Sequence, residues 1–242
     1  MVLEYIQYLW KANLKSTDTN ETAAKIKNCI TSSTSNLAYE NELKVFRNIA
    51  KRQNRKIQVK DFGAGSKKMG FERSIQSIYK NSRSSLKYQR ILFKLVKEFQ
   101  CDSVLEMGTS LGFTTVYLSN AVKTGKVTTI EACQETANEA KSLFQEMKLE
   151  NVVLVNSTFS DFFEKNPEQT FDFVFVDGHH DGKALFEYME ILLKRCKSGC
   201  IFVLDDIRWS GSMYDAWKEL IQKSEFDFHF DLFRMGILVY KN

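Results

Sequence analysis

Proline occurs once in the 242 residues, at Pro167, which excludes Pro-rich linkers and argues against disorder. No apolar run approaches the roughly 18 residues needed to cross a bilayer. Met1 to Lys15 lacks the basic leader, apolar stretch and small-residue cleavage site of a signal peptide. Cysteine is sparse: Cys29, Cys101, Cys133, Cys196 and Cys200 are odd in number, scattered, and form no Cys-x-x-Cys pair. That pattern speaks against a disulfide framework and against zinc, and predicts a reduced, cytoplasmic setting. What is present, 43% hydrophobic and 26% charged residues, is the balance of an ordinary globular chain.

The formal charge of +4 hides an asymmetry. Residues 1–100 carry 20 Lys and Arg against 8 Asp and Glu, and residues 101–242 carry 14 against 22, giving +12 and −8. We read the two halves as packing on each other. The alternative is a basic half that faces an anionic partner such as nucleic acid, a phosphate-bearing substrate or a membrane surface. Met1 to Trp10 is apolar and aromatic on more than one side, so it must dock, on its own domain or on the mate in a homodimer.

Residues 1–83 read as a basic, mainly helical N-terminal extension. A Ser/Thr-rich loop covers Thr31 to Asn36, and a helix is predicted over Tyr39 to Gln53. From Ser84 to the end strands and helices alternate. Ser84 or Ser85 caps a helix with the stripe Leu86, Ile91, Leu92, Leu95, Val96 and Phe99. Short apolar strands follow at Ser103–Glu106, Lys126–Glu131, Val152–Val155, Phe171–Val176 and Cys200–Leu204. Helices lie between them at Phe113–Val122, Gln134–Met147 and Lys183–Cys196, with another at Ser212–Gln222. Two last strands, Phe226–Leu232 and Met235–Tyr240, form a hairpin through Phe233-Arg234. The pattern predicts a doubly wound α/β sheet, mostly parallel, with ligands bound beyond the strands' carboxyl ends.

The polar residues that follow the strands carry the chemistry. After the first strand the chain reads Glu106-Met107-Gly108-Thr109-Ser110-Leu111-Gly112-Phe113-Thr114. Gly108 and Gly112 permit a tight turn and a close backbone approach to a ligand. Glu131, 25 residues beyond Glu106, ends the second strand, where a carboxylate can accept both hydroxyls of a ribose. The glycine spacing is not the G-x-G-x-x-G of a dinucleotide site. A negative Glu106 beside the loop suits a cationic ligand better than a pyrophosphate.

The segment Val104 to Thr114 resembles the first motif of class I S-adenosylmethionine-dependent methyltransferases, in particular the branch related to catechol-type O-methyltransferases. The resemblance runs from about Leu86 to Tyr240. It implies a seven-stranded, mostly parallel Rossmann-like sheet with a C-terminal antiparallel hairpin. It also implies that Gly108 and Gly112 line the methionine part of the cofactor, with Glu106, Thr109 and Ser110 of the same loop as further cofactor-binding residues. Glu131 would hold the ribose, Thr158 and Phe159 would face the adenine, and Asp177 would stand beside the reacting methyl. The chain departs from the pattern at Ser157-Thr158-Phe159, where many relatives have Gly-Asp-Ala.

Asp177-Gly178-His179-His180-Asp181 and Asp205-Asp206 follow two neighbouring strands. Three carboxylates, Asp177, Asp205 and Asp206, repel each other unless a cation joins them, and oxygen-only ligands favour magnesium. Acids at these positions in the resembled branch hold magnesium. The competing reading is that Asp205 and Asp206 only cap the next helix. His179 or His180 is a candidate general base. Arg208, Trp209, Met213, Tyr214 and Trp217 either roof a substrate or, for Trp217, belong to the core. Asp61-Phe62-Gly63-Ala64-Gly65-Ser66 imitates a cofactor loop but lacks a following strand that ends in an acid, so we read a flexible turn or a lid. Together these features predict S-adenosylmethionine-dependent methyl transfer, to oxygen, on a small or carrier-bound hydroxylated substrate, with magnesium as a possible second cofactor. A metal-independent N-methyltransferase and a non-catalytic cofactor-binding protein are the alternatives.

Overall fold

The structure is a computed structural model and describes residues 20–32, 37–60, 71–81 and 84–241. Met1 to Trp10, residues 33–36 of the Ser/Thr-rich loop, and Asp61 to Ser66 lie outside the described residues. Seven strands form the central sheet: β3 (Ser103–Met107), β4 (Lys126–Ile130), β5 (Val152–Val155), β6 (Phe171–Val176), β7 (Cys196–Leu204), β8 (Phe226–Asp231) and β9 (Gly236–Tyr240). Their order is β5-β4-β3-β6-β7-β9-β8. The first five run parallel, while β9 pairs antiparallel with β7 and β8 antiparallel with β9. This is the mostly parallel sheet with a terminal hairpin that the alternating pattern predicts.

Alternate residues of the buried strands enter opposite cores, as the two-residue pleat requires. Val104, Phe173, Phe175, Ile201 and Val203 pack on one side, where they meet α4 (Leu86–Glu98) and α5 (Phe113–Ala121). Leu105, Val174, Val176, Phe202 and Leu204 pack on the other, against α8 (Gly182–Leu193) and α9 (Gly211–Leu220). Trp217 is 1% exposed and belongs to this second core. Ser85 caps α4 through the Tyr88 amide, and Leu86 at its start is exposed rather than part of the stripe.

The described part of the N-terminal extension packs on the first core. Helix α1 (Glu21–Thr31) buries Ala23, Ile26, Cys29 and Ile30. Helix α2 (Ala38–Ala50) is tied to α4 by Glu40, which accepts from Arg90 Nε at 2.8 Å, and Tyr117 Oη of α5 donates to Glu40 at 2.9 Å. A hairpin of β1 (Lys56–Val59) and β2 (Phe71–Ser74) follows, and then α3 (Ile75–Asn81). The extension is thus not purely helical. β1 alternates, with Ile57 buried between exposed Lys56 and Gln58, but four residues are too few to carry a readable strand pattern. Helix α6 (Gln134–Glu146) anchors the hairpin, with Glu135 accepting from the Gln58 amide at 2.8 Å.

Candidate active site

The sheet changes direction between β3, whose neighbour on the other side is β4, and β6, which leads to β7. Loops leaving such a switch point diverge and open a crevice. Here Gly108 and Asp177 leave side by side: the Asp177 amide donates to Met107 O at 2.9 Å, and the Gly108 amide donates to Ile130 O at 3.1 Å. Gly108 has φ +108, and a Cβ on it would lie 2.3 Å from the Asp177 carbonyl oxygen. Only glycine fits there. Gly112 serves the loop differently, turning at φ +79 into α5 with its Cβ position filled by the Phe144 ring.

A cavity of about 470 Å³ opens at this edge, lined by Gly108, Ser110, Glu131, Thr158, Phe159, Asp177 and His179 among others. Thr109 lines a smaller hollow on the far side of the same turn, with Tyr79 and Phe113. The Glu131 carboxylate is held across the loop, accepting from the Ser110 amide and from the Cys133 amide, both at 2.9 Å. Thr158 caps α7 (Phe159–Lys165) through the Asp161 amide, and the Phe159 ring meets Tyr188 edge-on at 5.4 Å. His179 shares a 2.6 Å hydrogen bond between Nδ1 and Tyr188 Oη. His179 therefore belongs to the same wall as Phe159. The rim above the cavity is conformationally unusual: Ser110, His179, Asp206 and Phe233 all have positive φ, a backbone state that non-glycine residues adopt at a cost and that clusters at functional sites.

Glu106 does not reach the cavity. It is 0% exposed beneath the loop, with its Oε2 accepting from Thr115 at 2.5 Å and from Thr129 at 2.6 Å, while Thr109 donates to Thr129 at 2.6 Å. Its other oxygen, Oε1, has no hydrogen-bond partner. Burial pushes its carboxyl up to about 7, from an ordinary 4.5, against the pull of the two threonine hydroxyls. The folded protein then keeps a proton that the unfolded chain releases first. Stability is greatest below pH 4.5 on this account and falls as pH rises towards 7, by about 3 kcal/mol in all. Glu106→Gln keeps an acceptor for both threonines and removes the titration. Its melting temperature should exceed that of the wild type above pH 7 and vary less between pH 5 and 7. Parallel melting curves for the two proteins across that range would disprove the assignment.

Asp205 and Asp206 follow β7 and are engaged by a residue that the sequence reading passed over. Arg234, in the β8–β9 turn, donates to Asp205 from Nε and from Nη2, both at 3.1 Å, and its Nε lies 2.8 Å from Asp206 Oδ1. Asp205 also accepts from Ser84 Oγ at 3.0 Å and from the Asp206 amide at 2.9 Å. Its carboxylate is saturated and 1% exposed. Asp177, Asp205 and Asp206, the expected magnesium set, lie near one another, and the cation beside Asp205 and Asp206 in this structure is the Arg234 guanidinium. Among the described residues, no group of three or more His, Cys, Asp or Glu is arranged to hold a metal ion. The helix-capping alternative is also not what the structure shows, because Ser210 caps α9. Asp177 remains near enough to feel both neighbours. Burial first, and then the Asp205 and Asp206 charges, raise its carboxyl well above the usual range. His180 stands at the outer rim, with Nε2 3.8 Å from Asp206 Oδ2 and its ring 5.6 Å from that of Trp209, which is 68% exposed.

Residues 105–207 match the methyltransferase domain family. The chain's fold is the Rossmann-like methyltransferase fold. Its sequence is 30% identical over 131 residues to the ribosomal RNA small subunit methyltransferase G of Lactococcus lactis, a match covering 54% of each protein. The chain thus spans about half the length of that curated relative. An O-methyltransferase from Bacillus cereus in complex with S-adenosylhomocysteine has a similar structure, with TM-score 0.59, 21% identity, and 66% of this chain and 84% of that one covered. The O-methyltransferase TomG from Streptomyces achromogenes, involved in tomaymycin synthesis and solved with S-adenosylmethionine, gives TM-score 0.59 at 20% identity, with 67% and 83% covered.

Within this fold the cavity gathers residues from four strand ends. Tyr188 and Arg234 were not visible as site residues in the sequence. Arg234 had a signal: β9 runs antiparallel beside β7, with Leu204 opposite Gly236, so the hairpin turn must fall next to Asp205. Lys60 and Arg73, from the hairpin of the extension, also line the methyltransferase cavity. No helix among the described residues is long and apolar enough to cross a membrane.

Proposed function

We propose that this chain transfers the methyl group of S-adenosylmethionine to an oxygen of a small or carrier-bound hydroxylated acceptor. One observation carries the reading: the 470 Å³ cavity at the switch point, with Glu131 aimed across a loop that a Cβ at Gly108 would block. Its residues fit the cofactor, an acid for ribose hydroxyls on one side and Phe159 and Tyr188 as an aromatic wall on the other. The Bacillus O-methyltransferase in complex with S-adenosylhomocysteine and the Streptomyces O-methyltransferase in complex with S-adenosylmethionine support the same reading. When bound, S-adenosylmethionine supplies an electrophilic sulfonium methyl. Asp177 presents a carboxyl at the inner end of the cavity. His180, outside the cavity and beside Asp206, accepts the acceptor's proton, and Asp206 stabilises the imidazolium that results. The match to a ribosomal RNA methyltransferase favours RNA as the acceptor in a second reading.

Calorimetry with S-adenosylmethionine tests the first step, and we expect binding in the micromolar range, on the order of −8 kcal/mol. Glu131→Ala should weaken it by about 3 kcal/mol, since charged hydrogen bonds to a ligand contribute roughly 1.5–3 kcal/mol each. Equal affinities for the two proteins would remove Glu131 from the ribose site. Saturable binding of NADH without any of S-adenosylmethionine would overturn the function. Methylation of ribosomal RNA, in preference to a panel of hydroxylated small molecules, would establish the second reading.

A further inference from the structure

The acids after β6 and β7 and the arginine of the β8–β9 turn form a cluster whose negative charge is partly neutralised from within the chain. Asp205 has its oxygens engaged by Ser84, the Asp206 amide and Arg234, and none is left to face an ion. The same guanidinium reaches Asp206, at 2.8 Å from Nε to Oδ1, and is itself 36% exposed. An incoming divalent ion would have to displace a planar, permanently charged group held by two carboxylates, and would find itself next to its positive charge. Among the described residues, His180 is a further titratable neighbour of the Asp206 carboxylate, at 3.8 Å.

We propose that Arg234 is the resident cation of this rim, standing where the resembled branch would place a metal, and that the acceptor is bound without chelation. The proposal rests on the methyl-transfer reading given above, and it narrows the substrate class. A guanidinium neutralises and positions carboxylates but offers no open coordination position, so nothing here calls for two adjacent oxygens on the acceptor. One nucleophilic hydroxyl, placed at His180, suffices. Arg234 acts through Asp206 and is a positioning residue: it fixes the carboxylate that faces His180.

The test uses the purified full chain and manganese as the probe. Paramagnetic titration of the wild type should show no manganese bound at stoichiometric, micromolar concentrations, and millimolar magnesium should leave its melting temperature unchanged. Arg234→Met should melt lower, because Asp205 and Asp206 lose their counter-charge, and magnesium or manganese should restore part of that loss. Arg234→Lys, which keeps a cation, should melt closer to the wild type and stay unresponsive to metal, which keeps the question answerable if the methionine variant does not fold. One manganese bound tightly by the wild type and lost in Asp206→Asn would overturn the proposal. So would an Arg234→Met protein as stable as the wild type. Calorimetry with S-adenosylmethionine on the same wild-type sample separates the two ideas. A protein that binds neither manganese nor the cofactor would sink methyl transfer while leaving the role of Arg234 intact.

Discussion

Alanine at position 108 is expected to abolish measurable S-adenosylmethionine binding and to lower the melting temperature by roughly 10 °C. Gly108 sits at φ +108, and the added Cβ would lie 2.3 Å from the Asp177 carbonyl oxygen and 2.9 Å from its carbon. Neither group can retreat. The Asp177 amide is bonded to Met107 O and the Gly108 amide to Ile130 O, so the turn is pinned to β3, β4 and β6 together. Backbone strain of about 1–3 kcal/mol and an overpacking term of similar size add up to several kcal/mol. Relief by peeling the loop away would move Ser110 from Glu131 and dismantle the cofactor wall. Gly211→Ala is the control. A Cβ there has nothing within 4 Å, and the variant should match the wild type in both measurements. Undiminished cofactor affinity in Gly108→Ala would show that the turn is more forgiving than its geometry.

The parts of this fold that were legible in the sequence are those that a buried sheet dictates. Phe171–Val176, in the middle of the sheet, is apolar at all but Asp172 because both faces are covered, whereas Val152–Val155 is an apolar edge strand with Val153 43% exposed. The loop residues after them were legible because an open sheet binds ligands at that edge. The short helix at Phe159–Lys165 was missed, since about two turns with Phe162 and Phe163 buried carry no readable period. The β1–β2 hairpin was missed because its strands are short: Lys56-Ile57-Gln58-Val59 alternates over only four residues. At the site, Gly108, Glu131, Phe159 and Asp177 converge on one cavity. Glu106 was placed by motif and not by environment. From sequence alone a strand-terminal glutamate looks like a ligand, whereas two threonine hydroxyls, from β4 and α5, hold it under the floor. Charge signs alone could not choose between magnesium and arginine at Asp205 and Asp206, because either satisfies the same repulsion. Strand order brings residue 234 to residue 205, which the charge signs did not reveal.

His180→Ala should lower kcat by about 10²–10⁴-fold, the range for loss of a positioned general base, and leave S-adenosylmethionine affinity within a few-fold of the wild type. The separation follows from placement. His180 is absent from the cavity lining, whereas His179 is part of it and is bonded to Tyr188. His179→Asn should therefore show the reverse split, with weaker cofactor binding and a smaller change in kcat. Asparagine is the appropriate replacement because residue 179 has φ +56, which asparagine tolerates better than most residues. Asp206→Asn should reproduce part of the His180→Ala defect. The carboxylate 3.8 Å from His180 Nε2 favours the imidazolium that forms once the acceptor's proton is taken, and an amide does so only weakly. All four proteins are to be compared by the rate of S-adenosylhomocysteine formation with one hydroxylated acceptor, beside calorimetric titration of the cofactor. If His180→Ala turns over at the wild-type rate, the proton leaves by another route and the rim histidine is a bystander. If it loses cofactor affinity in step with kcat, His180 belongs to the cofactor wall, and the acceptor side of the site must be sought beyond Asp206 and Trp209.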